Sequence, residues 1–184
     1  PLPVKLIETG DKADGIDAGV RFGILRQDGA ASMICRSRSQ AGGWHFENGS
    51  WSGDPTLLRG LELDGKPVYT SLEGRDQGVR LRDLDNDGIC ELVVANPSQQ
   101  AVFRRDTEAR RWRRLPFNFP QGVILTDEQG RDAGLRFIDV DEDLRDDLVY
   151  SNDKNYSLDL FTSMDKGWSR RVLSGRQAPG EDDP

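Results

Sequence analysis

An internal repeat constrains the fold of this chain more than any other feature. The segment GRDQGVRLRDLDNDGICELVVAN begins at Gly74, and GRDAGLRFIDVDEDLRDDLVYSN begins 56 positions later, at Gly130. The two segments align without a gap, and the same register matches Trp112 with Trp168. A weaker copy, DAGVRFGILRQDGAASMICRS, starts at Asp17 and aligns at an offset of 59 positions. A fixed period of this length is typical of proteins built from repeated supersecondary units.

The repeat divides the chain into four segments. Residues 1–16 resemble the tail of a preceding unit, because PVKLIETG is similar to RRVLSG near the other end. Residues 17–75 form a degenerate copy, residues 76–131 form a copy with an acidic loop, and residues 132–184 form a further such copy with a C-terminal tail. The chain begins with Pro1 rather than Met, so we expect a mature chain or an excerpt of a larger one.

Each copy contains short apolar runs that predict β-strands. In the middle copy we place strands near residues 78–82, 91–95, 100–105 and 111–116, where alternating or β-branched residues lie between turns. Four short strands in about 50 residues, repeated along a chain, are typical of a β-propeller blade. A β-solenoid is the alternative, although its repeats are normally shorter.

We therefore predict an all-β fold, a β-propeller-type array of about three four-stranded blades. A closed propeller needs about four to eight blades. Three copies thus predict a partial propeller or an excerpt of a larger one. Because Trp112 and Trp168 recur at the same position of the repeat, we expect them to pack between blades.

Acidic residues are concentrated in one loop of the middle copy. Calcium is a hard cation that takes about six to eight oxygen ligands, often carboxylates with a backbone carbonyl. Alternate positions in a tight loop direct their side chains to one centre, and Gly88 permits the positive φ that such a loop requires. The predicted calcium ligands are the carboxylates of Asp83, Asp85, Asp87 and Glu91 and the carbonyl of Ile89.

The next copy repeats the acidic pattern with one change. Its predicted ligands are the carboxylates of Asp139, Asp141, Asp143 and Asp147 and the carbonyl of Arg145. Leu144 replaces the glycine, and a positive φ at that residue would cost roughly 1 kcal/mol, so we expect a weaker or more distorted site.

The degenerate first copy keeps one of the four carboxylates. Ile24, Arg26, Asp28 and Ser32 occupy the matching positions, and Arg26 would direct a guanidinium into the site, so we predict no metal there. For the two complete loops the alternatives are a solvated acidic turn, a structural calcium ion and a regulatory or ligand-bridging one.

The pattern D-x-D-x-D-G-x-x-[DE], followed by an apolar strand and recurring in each copy, resembles the FG-GAP/VCBS repeat family, which includes the calcium-binding blades of integrin α subunits. The resemblance covers about residues 17–175 and implies calcium ions that staple loops between strands. Segments such as NPSQQAVFRR and LFTSMDKGWSRRVLSG also resemble propeller-type parts of large secreted planctomycete-type proteins. Those proteins carry sugar-dehydrogenase-like and c-type haem modules elsewhere, which implies a parent context rather than an activity of this chain.

Charge and composition exclude several classes of partner. The net charge of −7 argues against nucleic-acid binding and against anionic membranes. The arginine-rich stretch 104–114 contains Trp112 and could stack nucleotides, but we predict an outer strand pair whose arginines pair with Asp106 and Glu108. No apolar run reaches 18 residues, so we predict no membrane insertion.

Histidine and cysteine are scarce. The two cysteines, Cys35 and Cys90, lie outside any CxxC or CxxCH motif, so structural zinc and covalent haem have no local motif. We expect two separate thiols, with one disulfide as the alternative. His45 is the only histidine, and since no nucleophile motif accompanies it, we predict a surface or turn residue.

These observations predict a module that binds Ca²⁺ and is not an enzyme by itself. We expect a scaffold or an interaction domain for a protein or carbohydrate, within a larger chain that supplies further blades or domains. The alternative is a non-catalytic fragment of a secreted oxidoreductase. Because calcium loops of moderate affinity are useful where calcium is millimolar, we predict a secreted, periplasmic or extracellular location.

Overall fold

The computed structural model describes residues 1–9 and 15–177. Within these residues the fold is all-β, apart from a 3-10 turn at Pro55–Leu58, and no helix there is long and apolar enough to cross a membrane. The strands are β1 (Ile7–Thr9), β2 (Gly15–Asp17), β3 (Arg21–Ile24), β4 (Ala31–Arg36), β5 (Ala41–Glu47), β6 (Ser50–Gly53), β7 (Glu62–Leu63), β8 (Lys66–Pro67), β9 (Ser71–Leu72), β10 (Arg75–Asp76), β11 (Val79–Arg82), β12 (Glu91–Ala95), β13 (Gln100–Asp106), β14 (Arg111–Arg114), β15 (Leu135–Ile138), β16 (Asp147–Ser151), β17 (Asn155–Leu160) and β18 (Arg170–Arg176).

Three antiparallel sheets of four strands each follow one another along the chain. The first sheet has the order β3-β4-β5-β6, the second β11-β12-β13-β14 and the third β15-β16-β17-β18. Each is a meander in which neighbours in sequence are neighbours in space. Three smaller hairpins, β1-β2, β7-β8 and β9-β10, lie between or before them. Each sheet therefore corresponds to one copy of the sequence repeat.

The register between the first three strands is the same in all three sheets, whereas the fourth strand pairs differently in each of them. The second strand of each sheet pairs with the third through equivalent residues, namely Met33 with Trp44, Leu92 with Phe103 and Leu148 with Asp159. These pairs lie at the offsets of 59 and 56 positions found in the sequence. The four strands predicted for the middle copy are confirmed, with ends that differ by at most two residues.

The second sheet is buried on both faces. In β12 every residue is buried, and the alternation of side chains along a strand directs them to two different cores. Leu92 and Val94 belong to the cluster shared with the first sheet, which includes Ile34. Val93 and Ala95 belong to the cluster shared with the third sheet. The continuous apolar run ELVVA thus follows from a strand that faces two partner sheets.

The repeated tryptophans lie in these two cores. Trp112 is 1% exposed, belongs to the cluster between the first and second sheets, and donates its indole N–H to the Leu57 carbonyl at 2.7 Å. Trp168 is 5% exposed, belongs to the cluster between the second and third sheets, and donates to the Asp146 carbonyl at 2.7 Å. Their expected packing between repeats is confirmed, and each ring buries apolar area while its polar atom keeps a partner.

A local Asp-x-Gly-x-Arg element begins each of the three sheets. In the third copy the Asp132 carboxylate accepts the Gly134 N–H at 2.8 Å and pairs with Arg136. Gly134 has φ +96°, and a Cβ atom there would lie 1.9 Å from the Ser151 carbonyl oxygen, so only glycine fits. Matching elements occur at Asp17–Arg21 and Asp76–Arg80.

The first of these elements also joins two sheets. The Arg21 guanidinium pairs with Asp17 at 2.7 Å in its own copy and with Asp76 of the second copy at 3.0 Å. It donates further to the carbonyls of Val79 and Thr70. The Arg21 guanidinium, on the first strand of one repeat, thus binds the aspartate that begins the next repeat.

Candidate metal centres

The first loop, residues 83–91, connects β11 to β12 and is closed by its own aspartates. The Asp83 carboxylate accepts the backbone N–H groups of Asp87 at 3.0 Å and Gly88 at 2.9 Å. Asp87 in turn accepts the Ile89 N–H at 2.9 Å. Asn86 and Gly88 have positive φ, which is the geometry expected of Gly88. The loop is a tight turn held by carboxylate–backbone bonds.

The second loop, residues 139–147, has the same internal bonds between β15 and β16. Asp139 accepts the N–H groups of Asp143 at 3.1 Å and Leu144 at 2.9 Å, and Asp143 accepts the Arg145 N–H at 3.0 Å. Leu144 has φ +66° and is 67% exposed. The positive φ predicted for Leu144 is confirmed, and its side chain lies in solvent, away from the turn.

Each loop brings three carboxylates within reach of one ion. In the first loop, oxygens of Asp83, Asp85 and Glu91 all lie within 4.8 Å of one another. The equivalent set in the second loop is Asp139, Asp141 and Asp147. The predicted ligands Asp87 and Asp143 lie outside these sets, and each instead accepts backbone N–H bonds within its loop and contacts an arginine. Ligation by the carbonyls of Ile89 and Arg145 stays a prediction.

The carboxylate at the start of the strand is buried in both loops. Glu91 is 1% exposed and accepts the Leu84 N–H at 3.2 Å, while Asp147 is fully buried and accepts N–H groups from Val140 and Phe161. Burial, followed by the nearby Asp85 charge, raises the pKa of Glu91 to about 8. A carboxylate in such a place is stabilised in its charged form only by a cation or by strong donors.

The pKa values of the neighbouring aspartates are raised as well. Burial raises the pKa of Asp85, and the negative charge of Asp87 raises it further. Desolvation and the charge of Asp143 also raise the pKa of Asp141. One Asp85 oxygen, Oδ1, is buried and has no hydrogen-bond partner among the described residues. Like charges therefore repel at both centres, and a cation of charge +2 would relieve that repulsion.

Arg104 is the residue at the first loop that sequence reasoning missed. Its guanidinium, carried by β13, lies 3.2 Å from Asp85 Oδ2 and 3.6 Å from Glu91 Oε1, and it also contacts Asp87. The strand register could have revealed it, because Arg104 lies next to Phe103, which pairs with Leu92 beside Glu91.

The other arginines of the stretch 104–114 are also largely paired with acids. Arg113 pairs with Asp106 at 3.2 Å, as predicted. Arg105 and Arg110 instead approach Asp54 of the first copy, at 3.7 and 3.1 Å. The expectation of solvated outer strands with local ion pairs is therefore right for one pair and incomplete for the rest, since Arg105 joins two repeats.

In the first copy, the positions that match the acidic loop are held by ion pairs. Arg26 stands where the middle copy has Asp85, and its guanidinium pairs with Glu47 and Asp28. Ser32, at the position of Glu91, is fully buried. A cationic side chain thus lies where the other copies have only carboxylates.

The prediction that His45 is a surface or turn residue is wrong. His45 lies in β5 and is 8% exposed. Its Nδ1 is 2.8 Å from Ser32 Oγ and its Nε2 is 3.4 Å from Asp54 Oδ2. The partners come from a neighbouring strand and from the end of the sheet, so they are distant in sequence. Ser32 is fully buried, and its hydrogen bond with His45 joins β4 to β5.

The two cysteines are not joined by a disulfide. Cys35 is buried in the first sheet, and Cys90 is half-buried at the start of β12. This agrees with the expectation of two separate thiols. Burial raises the pKa of Cys90, which makes its thiol a poor nucleophile.

Comparison with known proteins gives no match, since no family profile, no curated protein and no solved structure matches this chain.

Proposed function

We propose that this chain is a calcium-binding module of the β-propeller type that acts as a scaffold or interaction domain and performs no catalysis by itself. The observation that carries the proposal is the recurrence of one acidic loop, with the same hydrogen bonds, at the same place in two successive sheets. Each loop gathers three carboxylates, one of them buried, within 4.8 Å. A solvated acidic turn would have no need of a buried carboxylate.

The donor set favours calcium over other metals. The gathered groups are carboxylate oxygens, with no histidine or cysteine in either group, which suits a hard cation. The irregular loops can supply further oxygens from backbone carbonyls and water, and calcium tolerates such flexible coordination better than magnesium does. Two bound calcium ions would change the formal net charge from −7 to −3, because each adds two positive charges.

The packing of the sheets supports the propeller-type arrangement. In the second copy, the side chains that face the third copy are buried, namely Leu84, Val93, Val102 and Phe117. In the third copy, their counterparts Val140 and Leu173 are 44% and 48% exposed, and Val149 and Leu158 are half-buried. We propose that a further four-stranded sheet of the same repeat covers this face, because the first two sheets are covered in that way.

A structural calcium site suits a location in which calcium is millimolar, so we propose an exported protein. The ions would hold the β11–β12 and β15–β16 loops in fixed positions at one edge of the array. Such fixed loops could present a surface to a protein or carbohydrate partner.

The test is thermal unfolding of the full chain in excess chelator and in calcium. A ligand that binds only the folded state stabilises it by about 2.7 kcal/mol at a hundredfold excess over Kd. We expect the melting temperature to rise with calcium, to rise less in Asp85→Ala and Asp141→Ala, and to respond weakly to magnesium.

The matched control is Asp165→Ala, which removes an exposed aspartate outside both loops. Its response to calcium should equal that of the wild type. An absence of any calcium effect in the wild type, by melting and by titration calorimetry, would refute the proposed function.

A further inference from the structure

We propose that Arg104 competes with the cation for the first loop, so that the second loop fills at a lower calcium concentration. The inference rests on the calcium-binding function proposed above and concerns how that function is divided between the two loops. It assigns to Arg104 the role of an internal counter-ion that a metal must displace.

The position of Arg104 is that of a bound cation. Its guanidinium contacts two of the three gathered carboxylates, Asp85 at 3.2 Å and Glu91 at 3.6 Å. It also contacts Asp87, which flanks the group. A divalent ion bound to Asp85 and Glu91 would repel the guanidinium at this distance. Binding therefore requires Arg104 to leave at least part of these contacts.

The ion pairs of Arg104 nevertheless leave one carboxylate oxygen of the first loop without a hydrogen-bond partner in the described part of the chain. Asp85 Oδ1 is buried and has no partner among the described residues. An arginine is planar and donates along fixed directions, so it cannot meet every carboxylate oxygen of a compact group. A small ion with several ligands can do so. A metal ion can therefore still stabilise the first loop. Arg104 lowers the affinity of this loop for the ion without abolishing it.

Among the described residues, no cation forms an ion pair with the gathered carboxylates of the second loop; Arg170 acts on Asp141 through its charge but forms no ion pair with it. Leu160 stands where the second sheet has Arg104, 56 positions earlier, and it is 5% exposed. Arg145 does pair with an aspartate of this loop, but its partner is Asp143, at 3.2 Å, which lies outside the gathered group of three. An ion can therefore bind between Asp141 and Asp147 without breaking an ion pair that either carboxylate makes within the described residues.

The first copy extends this series. His45 takes the place of Arg104, and Arg26 takes the place of Asp85. Arg26 is held by Glu47 and Asp28, so a fixed cationic side chain stands in the loop itself. The loop of the first copy thus contains a cationic side chain. The loop of the second copy is ion-paired to an arginine of a neighbouring strand, and the gathered carboxylates of the third copy have no ion pair among the described residues.

This ranking is the reverse of the one expected from Leu144. Leu144 has φ +66° in a turn that is closed by its own N–H bond to Asp139, so we assign its strain to the folded state. Because this turn geometry belongs to folding rather than to ion binding, we expect the strain to have little effect on affinity. Displacement of Arg104, in contrast, occurs only when an ion binds, so it raises the Kd of the first loop.

The experiment measures calcium affinity at each loop separately by titration calorimetry. In the full chain, Asp141→Ala leaves the first loop intact and Asp85→Ala leaves the second. Arg104→Leu, added to the Asp141→Ala chain, copies the side chain of the second loop. We expect it to lower the Kd of the first loop about tenfold, since a partly exposed ion pair no longer competes. Arg104→Lys should leave the Kd within about twofold, because the charge remains.

The matched control is Arg38→Leu, which removes an exposed arginine paired with Glu73 in the turn between β4 and β5, away from Arg104 and its loop, and changes the net charge equally. It should change the Kd by less than about twofold. An unchanged or higher Kd in Arg104→Leu, with calcium still bound, would overturn the inference and leave the proposed function intact. Failure of every chain to bind calcium would overturn both.

Discussion

The buried carboxylate of Glu91 makes the stability of the metal-free protein depend on pH. Its pKa is about 8 in the folded protein, against 4.5 as the ordinary value for a glutamate. Between these two pH values the folded protein keeps a proton that the unfolded chain has lost. Since the native state binds more protons, the free energy of unfolding falls as pH rises through this window.

The size of the effect follows from the same two pKa values. Linkage gives a loss of roughly 2 kcal/mol between pH 5.5 and pH 7.5 from Glu91 alone. Glu91→Gln is a neutral amide of the same size and has no proton to lose. We expect the Gln variant to lack this part of the pH dependence, so that it gains relative stability as pH rises.

The assay is urea unfolding in excess chelator at pH 5.5, 6.5 and 7.5, with the wild type and Glu91→Gln measured in parallel. The difference between the two proteins isolates Glu91 from other titrating groups, including His45, whose pKa is lowered by burial. A difference that stays constant across this range would refute the reasoning. Saturating calcium should also shrink the dependence in the wild type, because a cation favours the ionised carboxylate.

Three further predictions concern the packing of the repeats. Val93→Asp should cost more than about 4 kcal/mol in urea unfolding because it buries an unpaired charge, whereas the counterpart Val149→Asp, on the open face, should cost less than about 1.5 kcal/mol. Gly134→Ala should destabilise by more than about 2 kcal/mol because its Cβ meets a backbone carbonyl, and Gly122→Ala, which has a similar φ but open space, by about 1 kcal/mol. Trp112→Phe should lower the free energy of unfolding by about 2 kcal/mol, because a buried hydrogen bond and buried volume are lost. A lower thermal midpoint would show this loss.

The architecture of the sheets was predictable because it depends on local patterns. The strand β12 is a continuous apolar run between turns, and the repeat carries the same run forward to β16. The turn at Leu144 was also predictable, since it inherits the position of Gly88 and hence its positive φ. The composition of each loop follows from sequence in the same way, because all its carboxylates lie within nine residues.

The contacts that the sequence did not predict are those between side chains on different strands. Arg104 meets Asp85 from the next strand, 19 positions away, and Asp54 meets His45 from beyond the following strand. Reasoning about neighbours in sequence therefore placed the isolated His45 on the surface. Once the register of β4 with β5 is known, the pair of Ser32 with His45 follows directly.

Because the second sheet is buried on both faces, we expect the repeats to unfold in a defined order. Loss of the third sheet exposes one core of β12, whereas loss of the second sheet exposes both. In a linear array of repeats, stability is the sum of the repeats and their interfaces, so the repeats at the ends detach first. Backbone amides of β12 and β13 should therefore exchange with solvent only upon complete unfolding, while those of β17 and β18 exchange through local opening. We therefore expect the middle repeat, with its acidic loop and the paired Arg104, to be the last cooperative unit to unfold.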